Sequence, residues 1–308
     1  MAVVACINLK GGVAKTTNAV AIAEALHETG RRVLVIDADH QCMASELLLG
    51  QDAVEKANDR ERTFYDLVRD AFSDDADLDD FSYYAHGALA QTEAFGGLDV
   101  MPCSMRMDDL SSNLALTRRG MHATSDEFQR FTSKRRQTFR KWLRQTYDYT
   151  IIDCPPSMAQ QVKFLMPILD AFIIPCVPDR LCVRGAQHLM DKLARKRQDG
   201  KGIGLLWTLY RKQMALHGET LEQAKRRRKP FDVLPKPFET VIPNATAIAN
   251  ASREESRGKD LGDRYGTAAP LFRQLATEVV RRCDAKQAAK GVSPSAGGRA
   301  ARPAMQAV

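Results

Sequence analysis

Read as a pattern of apolar and polar positions, the chain opens on Val3-Val4-Ala5-Cys6-Ile7. This is a short run of β-formers without a polar face, as a strand covered on both sides requires. A glycine-rich break, Lys10–Lys15, follows. From Thr16 to about Thr29, Ala19, Ile22, Ala23 and Leu26 recur at i, i+3, i+4 and i+7, one stripe of an amphipathic helix, and Gly30 stands where such a helix stops. Val33-Leu34-Val35-Ile36-Asp37 is a second buried strand, ending on a carboxylate. Strand, helix and strand in this order predict a βαβ unit and a parallel sheet.

The same reading predicts further buried strands at Leu98–Met101, Tyr149–Ile152, Ala171–Pro175 and Ile203–Leu209, with helical patterns between them. In one helix Ala186, Leu189, Met190, Leu193 and Ala194 share a face. In the last, Phe272, Leu275, Ala276, Val279, Val280 and Cys283 do so, with Pro270 in the tolerated first turn. A helix around 127–145 carries Phe128, Phe131, Phe139, Trp142 and Leu143 on one side and Arg130, Lys134, Arg140, Lys141 and Arg144 on the other. Residues 51–97 lose the rhythm and include the acidic run Asp74–Asp80, so they are expected to form a surface insertion. One α/β domain is therefore expected over residues 1–284. Residues 285–308, rich in Gly, Ser, Pro and Ala, are expected to be a disordered tail.

Composition narrows the class. With 308 residues, 44% hydrophobic and 27% charged, the chain is expected to be a soluble globular protein, not a disordered, collagen-like or membrane-embedded one. Its seven cysteines are odd in number and scattered, without a CxxC pair, which favours buried thiols in a reducing compartment over a disulfide framework or a metal site. No basic leader precedes the first strand and no apolar run is long enough to span a bilayer, so a cytoplasmic location is expected. Charge is uneven: residues 1–100 carry a net of −10 and the remaining 208 a net of +17. Such a field draws polyanions to one side of the molecule.

Lys10-Gly11-Gly12-Val13-Ala14-Lys15-Thr16-Thr17 lies between a predicted strand and a predicted helix, where a phosphate loop lies. Glycines let backbone N–H groups curve around phosphates, the helix N-terminus adds its dipole, Lys15 can reach the β- and γ-phosphates, and Thr16 can hold Mg²⁺. Ala14 departs from the general pattern, which places Gly before the lysine.

Three segments together, this loop with its extra Lys10, Asp37-Ala38-Asp39-His40-Gln41, and Tyr149-Thr150-Ile151-Ile152-Asp153-Cys154-Pro155-Pro156-Ser157, resemble the ParA/MinD superfamily of deviant Walker ATPases. Within it the chain is most similar to the ParA partition ATPases. The resemblance extends to Gly97–Pro102, Ile173–Pro178 and Phe238–Pro243. It implies a P-loop fold with a mostly parallel central sheet flanked by helices, and ATP and Mg²⁺ as ligands. By the same resemblance Lys10, Lys15 and Asp39 are the catalytic residues. Lys10 would reach across a dimer to the partner's nucleotide, where its charge offsets the repulsion between two facing triphosphates. Asp39 would position the attacking water. Thr16, Asp37 and Asp153 would act at the Mg²⁺ end, Asp153 through a coordinated water. For Asp37 a second role, capping the next helix, is compatible with its place at a strand end. The arginine usual after Ile-Pro is absent, since the chain reads Ile242-Pro243-Asn244-Ala245.

The resemblance also implies an ATP-dependent homodimer that binds double-stranded DNA without sequence preference, associates with the nucleoid, and partitions a plasmid or chromosome. A ParB-like adaptor would stimulate hydrolysis. Candidate DNA contacts are Lys225, Arg226, Arg227, Arg228, Lys229, Arg253 and Arg257, with Lys192, Arg195, Lys196, Arg197, Lys201, Lys259 and Arg264 nearby in sequence. Few aromatics interleave with them, which disfavours single-strand stacking. Three relatives remain as alternatives. Positioning of another cargo would use the same nucleotide site. A MinD-like membrane switch would need a C-terminal helix with bulky apolar residues, and Gly297–Ala304 lacks them. An iron-protein-like reductase would need cysteines such as Cys103 or Cys154 at a dimer interface. The phosphate loop begins close to Met1, so no preceding helix-turn-helix and no operator binding are expected.

Overall fold

The computed structural model describes residues 1–72, 80–88, 98–110, 112, 125–251, 261–289 and 291. Seven strands form one sheet: β1 (Ala2–Cys6), β2 (Val33–Asp37), β3 (His86–Gly87), β4 (Leu98–Met101), β5 (Tyr149–Asp153), β6 (Ala171–Cys176) and β7 (Gly202–Trp207). Their order is β3-β4-β2-β5-β1-β6-β7, parallel throughout except for the two-residue β3 against β4. Among the described residues the α-helices are α1 (Lys15–His27), α2 (Met43–Leu49), α3 (Gln51–Asp59), α4 (Phe64–Ala71), α5 (Ser125–Thr146) and α6 (Gln160–Leu165). They continue with α7 (Arg180–Ala194), α8 (Ala215–Lys225), α9 (Thr246–Asn250), α10 (Leu261–Tyr265) and α11 (Ala269–Ala288).

The continuous apolar runs are buried strands because helices cover both faces of the sheet. Val3, Ala5, Leu34, Ile36, Phe172 and Ile174 point into one layer, closed by apolar residues of α4 to α8. Val4, Cys6, Val33, Val35 and Ile173 point into the other, closed by α1, α2, α3 and α9 to α11. The predicted strands all form, within two residues of their expected ends.

Two expected boundaries are corrected. The described part of residues 51–97 is not a simple surface insertion: Phe64, Leu67, Val68 and Phe81 are fully buried in the same core as β1 and β6. The Phe81 ring lies 4.9 Å from Phe139 and 5.7 Å from Trp142 of α5. The polar residues that break the pattern there are structural. Thr63 and Asp66 form a capping box at the start of α4, and Asp66 also meets Arg69 at 3.2 Å and Arg106 at 3.1 Å. Most of the acidic run lies outside the described residues. At the other end, α11 continues to Ala288, past the expected boundary at 284, because Ala285, Lys286, Gln287 and Ala288 are good helix formers. Gln287 ties it to the first residue, donating to the Met1 carbonyl at 3.0 Å. Residues 292–308 lie outside the described residues.

Strand β7 is covered along its outer side. Leu205 bridges to Pro237 and Tyr210 to Pro243, both in parallel. Phe238 and Arg282 approach Gly204 so closely that a Cβ there would lie 2.1 Å from the Phe238 ring, which requires glycine.

Candidate functional site

The loops leaving the carboxyl ends of β1, β2 and β5 meet at one edge of the sheet, the edge at which open α/β sheets take ligands. Register brings the acidic residues together: Cys6 of β1 lies opposite Asp153 of β5, and Asp153 opposite Asp37 of β2.

The loop after β1 is shaped as a cradle. Gly12 (φ +69°) and Ala14 (φ +57°) are both left-handed, and α1 begins directly after Ala14. Space within 4 Å of a Cβ at Gly11 or Gly12 is open, so backbone N–H groups can face a ligand there. The first turn of α1 has no acidic side chain to satisfy its N-terminus. Lys15 is 7% exposed, its Nζ donating to the Lys10 carbonyl at 3.0 Å. Burial pulls its pKa down, while Asp153 and Asp39 hold it up. Lys10 is exposed instead. Thr16 and Thr17 lie half-buried in the first turn of α1.

Two residues that sequence reading missed brace this loop. Asn8 is fully buried, donates to the Pro175 carbonyl at 2.7 Å and accepts from the Lys10 N–H at 3.1 Å. Thr208, at the end of β7, donates to the Val13 carbonyl at 3.1 Å. Each is a lone polar residue at the end of an apolar strand, the one signal the sequence offered.

The carboxylates differ. Asp153 is fully buried, and neither of its oxygens has a hydrogen-bond partner. Burial and the neighbouring Asp37 push its pKa well up, opposed by Thr16 and Lys15. Asp37 is equally buried but satisfied. Ser45 donates to it from its backbone N–H at 2.9 Å and its hydroxyl at 2.6 Å, and the Asp39 N–H donates at 3.1 Å. Burial pushes its pKa up to about 6 against those bonds. The structure thus gives Asp37 the helix-bracing role, since Ser45 lies in the first turn of α2. Asp39 is half-buried at the mouth, beside the Ala38 carbonyl that accepts from Gln161 at 3.1 Å.

An orphaned buried carboxylate beside a threonine and a lysine fits a hard divalent cation that draws its other ligands from phosphate and water. Among the described residues no three His, Cys, Asp or Glu side chains form a cage of their own. Cys103 and Cys154 are buried, and burial pushes both thiols well above the usual range. All seven cysteines are free and buried. No helix among the described residues is long and apolar enough to cross a membrane.

Of the expected DNA contacts, Arg226, Arg228 and Lys229 are exposed and make no side-chain bond among the described residues. Lys225 pairs with Glu222 at 2.6 Å, and the half-buried Arg227 donates to the Leu234 and Asp232 carbonyls. Arg253, Arg257 and Lys259 lie outside the described residues. Arg264 is withdrawn from the expected surface by a buried 2.8 Å pair with Glu24, and Lys201 donates to the Met166 and Pro167 carbonyls.

Sheet order, phosphate cradle and strand-end carboxylates together define a P-loop ATPase fold of the deviant Walker type. The family model described as an AAA domain matches residues 1–201, and the chain belongs to that family, with ParA and Soj proteins among its relatives. It is 29% identical over 293 residues to the chromosome partitioning protein ParA of Caulobacter vibrioides, covering 93% of this chain and 96% of that one. Against the sporulation initiation inhibitor protein Soj of Bacillus subtilis it is 29% identical over 283 residues, 90% and 97% of the two chains. A putative plasmid partition protein from Borrelia burgdorferi, solved bound to AMPPNP, shares the fold with a TM-score of 0.64 at 18% identity, covering 91% of this chain and 99% of that one.

Proposed function

We propose that the protein is a ParA-like ATPase. It dimerises on Mg·ATP, binds double-stranded DNA without sequence preference in that form, and partitions a plasmid or chromosome through hydrolysis stimulated by a ParB-like adaptor. The observation that carries this reading is the contrast between two lysines of one loop: Lys15 buried toward Asp153, and Lys10 exposed at the mouth. A single site needs one phosphate lysine. A second, turned outward and braced through Asn8, suits a nucleotide that faces a second copy.

In this reading the backbone N–H groups of Gly11, Gly12, Val13 and Ala14 bind phosphate, with Lys15, Thr16 and Thr17. Thr16 and Asp153 hold Mg²⁺, Asp37 supports them from behind, and Asp39 positions the water. Magnesium, when bound, neutralises charge on the phosphates and offsets the cost of two adjacent buried carboxylates. A link from nucleotide to DNA is also at hand. Gly185 of α7 packs against Asn8 and Lys10, with its Cβ position 3.7 Å from each, while Gln187 of the same helix donates to the Pro230 carbonyl at 3.1 Å, beside Arg228 and Lys229.

The test is co-sedimentation with duplex DNA in Mg·ATP, in Mg·ADP and without nucleotide, run beside size-exclusion chromatography. Dimers and DNA retention with ATP alone are expected, and Lys10→Ala is expected to abolish both. A protein that stays monomeric in saturating Mg·ATP, with unchanged DNA retention, overturns the reading.

A further inference from the structure

We propose that His40 is a positioning residue for Asp39, fixing one carboxylate oxygen so that the other is left to orient the attacking water. This rests on the role given to Asp39 above. His40 follows Asp39 in the loop between β2 and α2, and its Nδ1 lies 3.5 Å from Asp39 Oδ1 and 3.4 Å from Asp108 Oδ1. Asp108 belongs to the short turn Met105–Asp109 that follows β4, so the imidazole bridges two loops at the ligand edge of the sheet.

The ring is also held from its other side. Gln41 Nε2 lies 2.7 Å from His40 Nε2. The Gln41 amide thus holds the ring from its far side and leaves Nδ1 facing the two carboxylates. Asp39 Oδ1 additionally accepts from the Gln41 N–H at 3.2 Å. One oxygen is therefore met from two directions, by the Gln41 N–H in a hydrogen bond and by the His40 ring at ion-pair distance, while Oδ2 makes no hydrogen bond among the described residues. Asp39 is 14% exposed and Asp108 69%, so the pair forms a bridge from solvent to the mouth of the site. A carboxylate that must meet a water in one geometry loses rate when it is free to rotate, and a ring packed against its far oxygen restrains that rotation.

The experiment is single-turnover hydrolysis of Mg·ATP by the full chain, with nucleotide affinity measured separately on each variant. His40→Ala is expected to lower the hydrolysis rate about tenfold while ATP affinity changes less than about twofold. His40→Asn, whose amide nitrogen stands near the Nδ1 position, is expected to recover most of the rate. In an Asp39→Ala background, adding His40→Ala is expected to change nothing. Three results overturn the proposal: an unchanged rate in His40→Ala, no recovery in His40→Asn, or the same tenfold loss in the Asp39→Ala background. An Asp39→Ala variant that hydrolyses at the wild-type rate overturns the role of Asp39 itself, and the proposal with it. A slow Asp39→Ala beside a normal His40→Ala overturns the bridge alone.

Discussion

Lys10 and Lys15 are five positions apart and meet opposite fates, one in solvent and one behind the carboxylates. Lys15→Ala removes the buried cation and is expected to abolish nucleotide binding, measured with a fluorescent ATP analogue. Asp39→Ala leaves the cradle intact and is expected to retain ATP-dependent dimers with little turnover. Ala14 yields a prediction of the opposite sign. At φ +57° an alanine pays for a left-handed backbone that glycine adopts freely, so Ala14→Gly is expected to raise stability by about 0.5–1 kcal/mol, read from urea unfolding. At this scale the motif lysines, threonines and aspartates were legible, because each has a fixed chemical task at a fixed spacing. Asn8, Ser45 and Thr208 were not. Each is a single polar residue whose partners, Pro175, Asp37 and Val13, are set only by strand order. Asp37 was half legible: its place at a strand end was clear, its saturation by Ser45 was not.

Among elements, the buried parallel strands stood out because a continuous apolar run between glycine and polar breaks has few other readings. The region from α3 to β3 did not, since its helices are short and the charges around α4 serve a cap and ion pairs instead of solvent. Phe81 tests its standing as core. Phe81→Ala is expected to cost about 3–5 kcal/mol in urea unfolding, whereas a ring on a mere surface loop would cost almost nothing. His86 of β3 tests the same packing through pH. Burial holds its pKa below the ordinary value, Arg62 and Arg60 add repulsion, and the bond from Nε2 to the Arg62 carbonyl opposes them. An unfolded histidine titrates near about 6.5, so below that value the unfolded chain binds the extra proton first. The contribution is complete above that pH and is lost as pH falls toward the lower native pKa. His86→Gln is therefore expected to lose less stability than the wild type between about pH 7.5 and about pH 5.

For the whole molecule, charge asymmetry was legible in the composition, but the surface that carries it was not. Of the basic residues near 225 in sequence, Arg227 is spent on carbonyls and Lys225 pairs with Glu222, and Arg226, Arg228 and Lys229 stay open to solvent. Gln187 puts their turn against α7, where by helical spacing the exposed Arg184 shares the Gln187 face. Neutralising Arg226, Arg228 and Lys229 together is expected to weaken duplex binding and to reduce the slope of log affinity against log salt by about 2–3, measured by titration at several ionic strengths. An unchanged slope would move the DNA surface elsewhere. The roof over β7 bears on crowding. Leu205 of β7 is bridged to Pro237, and Tyr210 just beyond the strand to Pro243, and these prolines offer no N–H to a newcomer. Copies crowded together at high local concentration are therefore expected not to zip into fibrils through that flank.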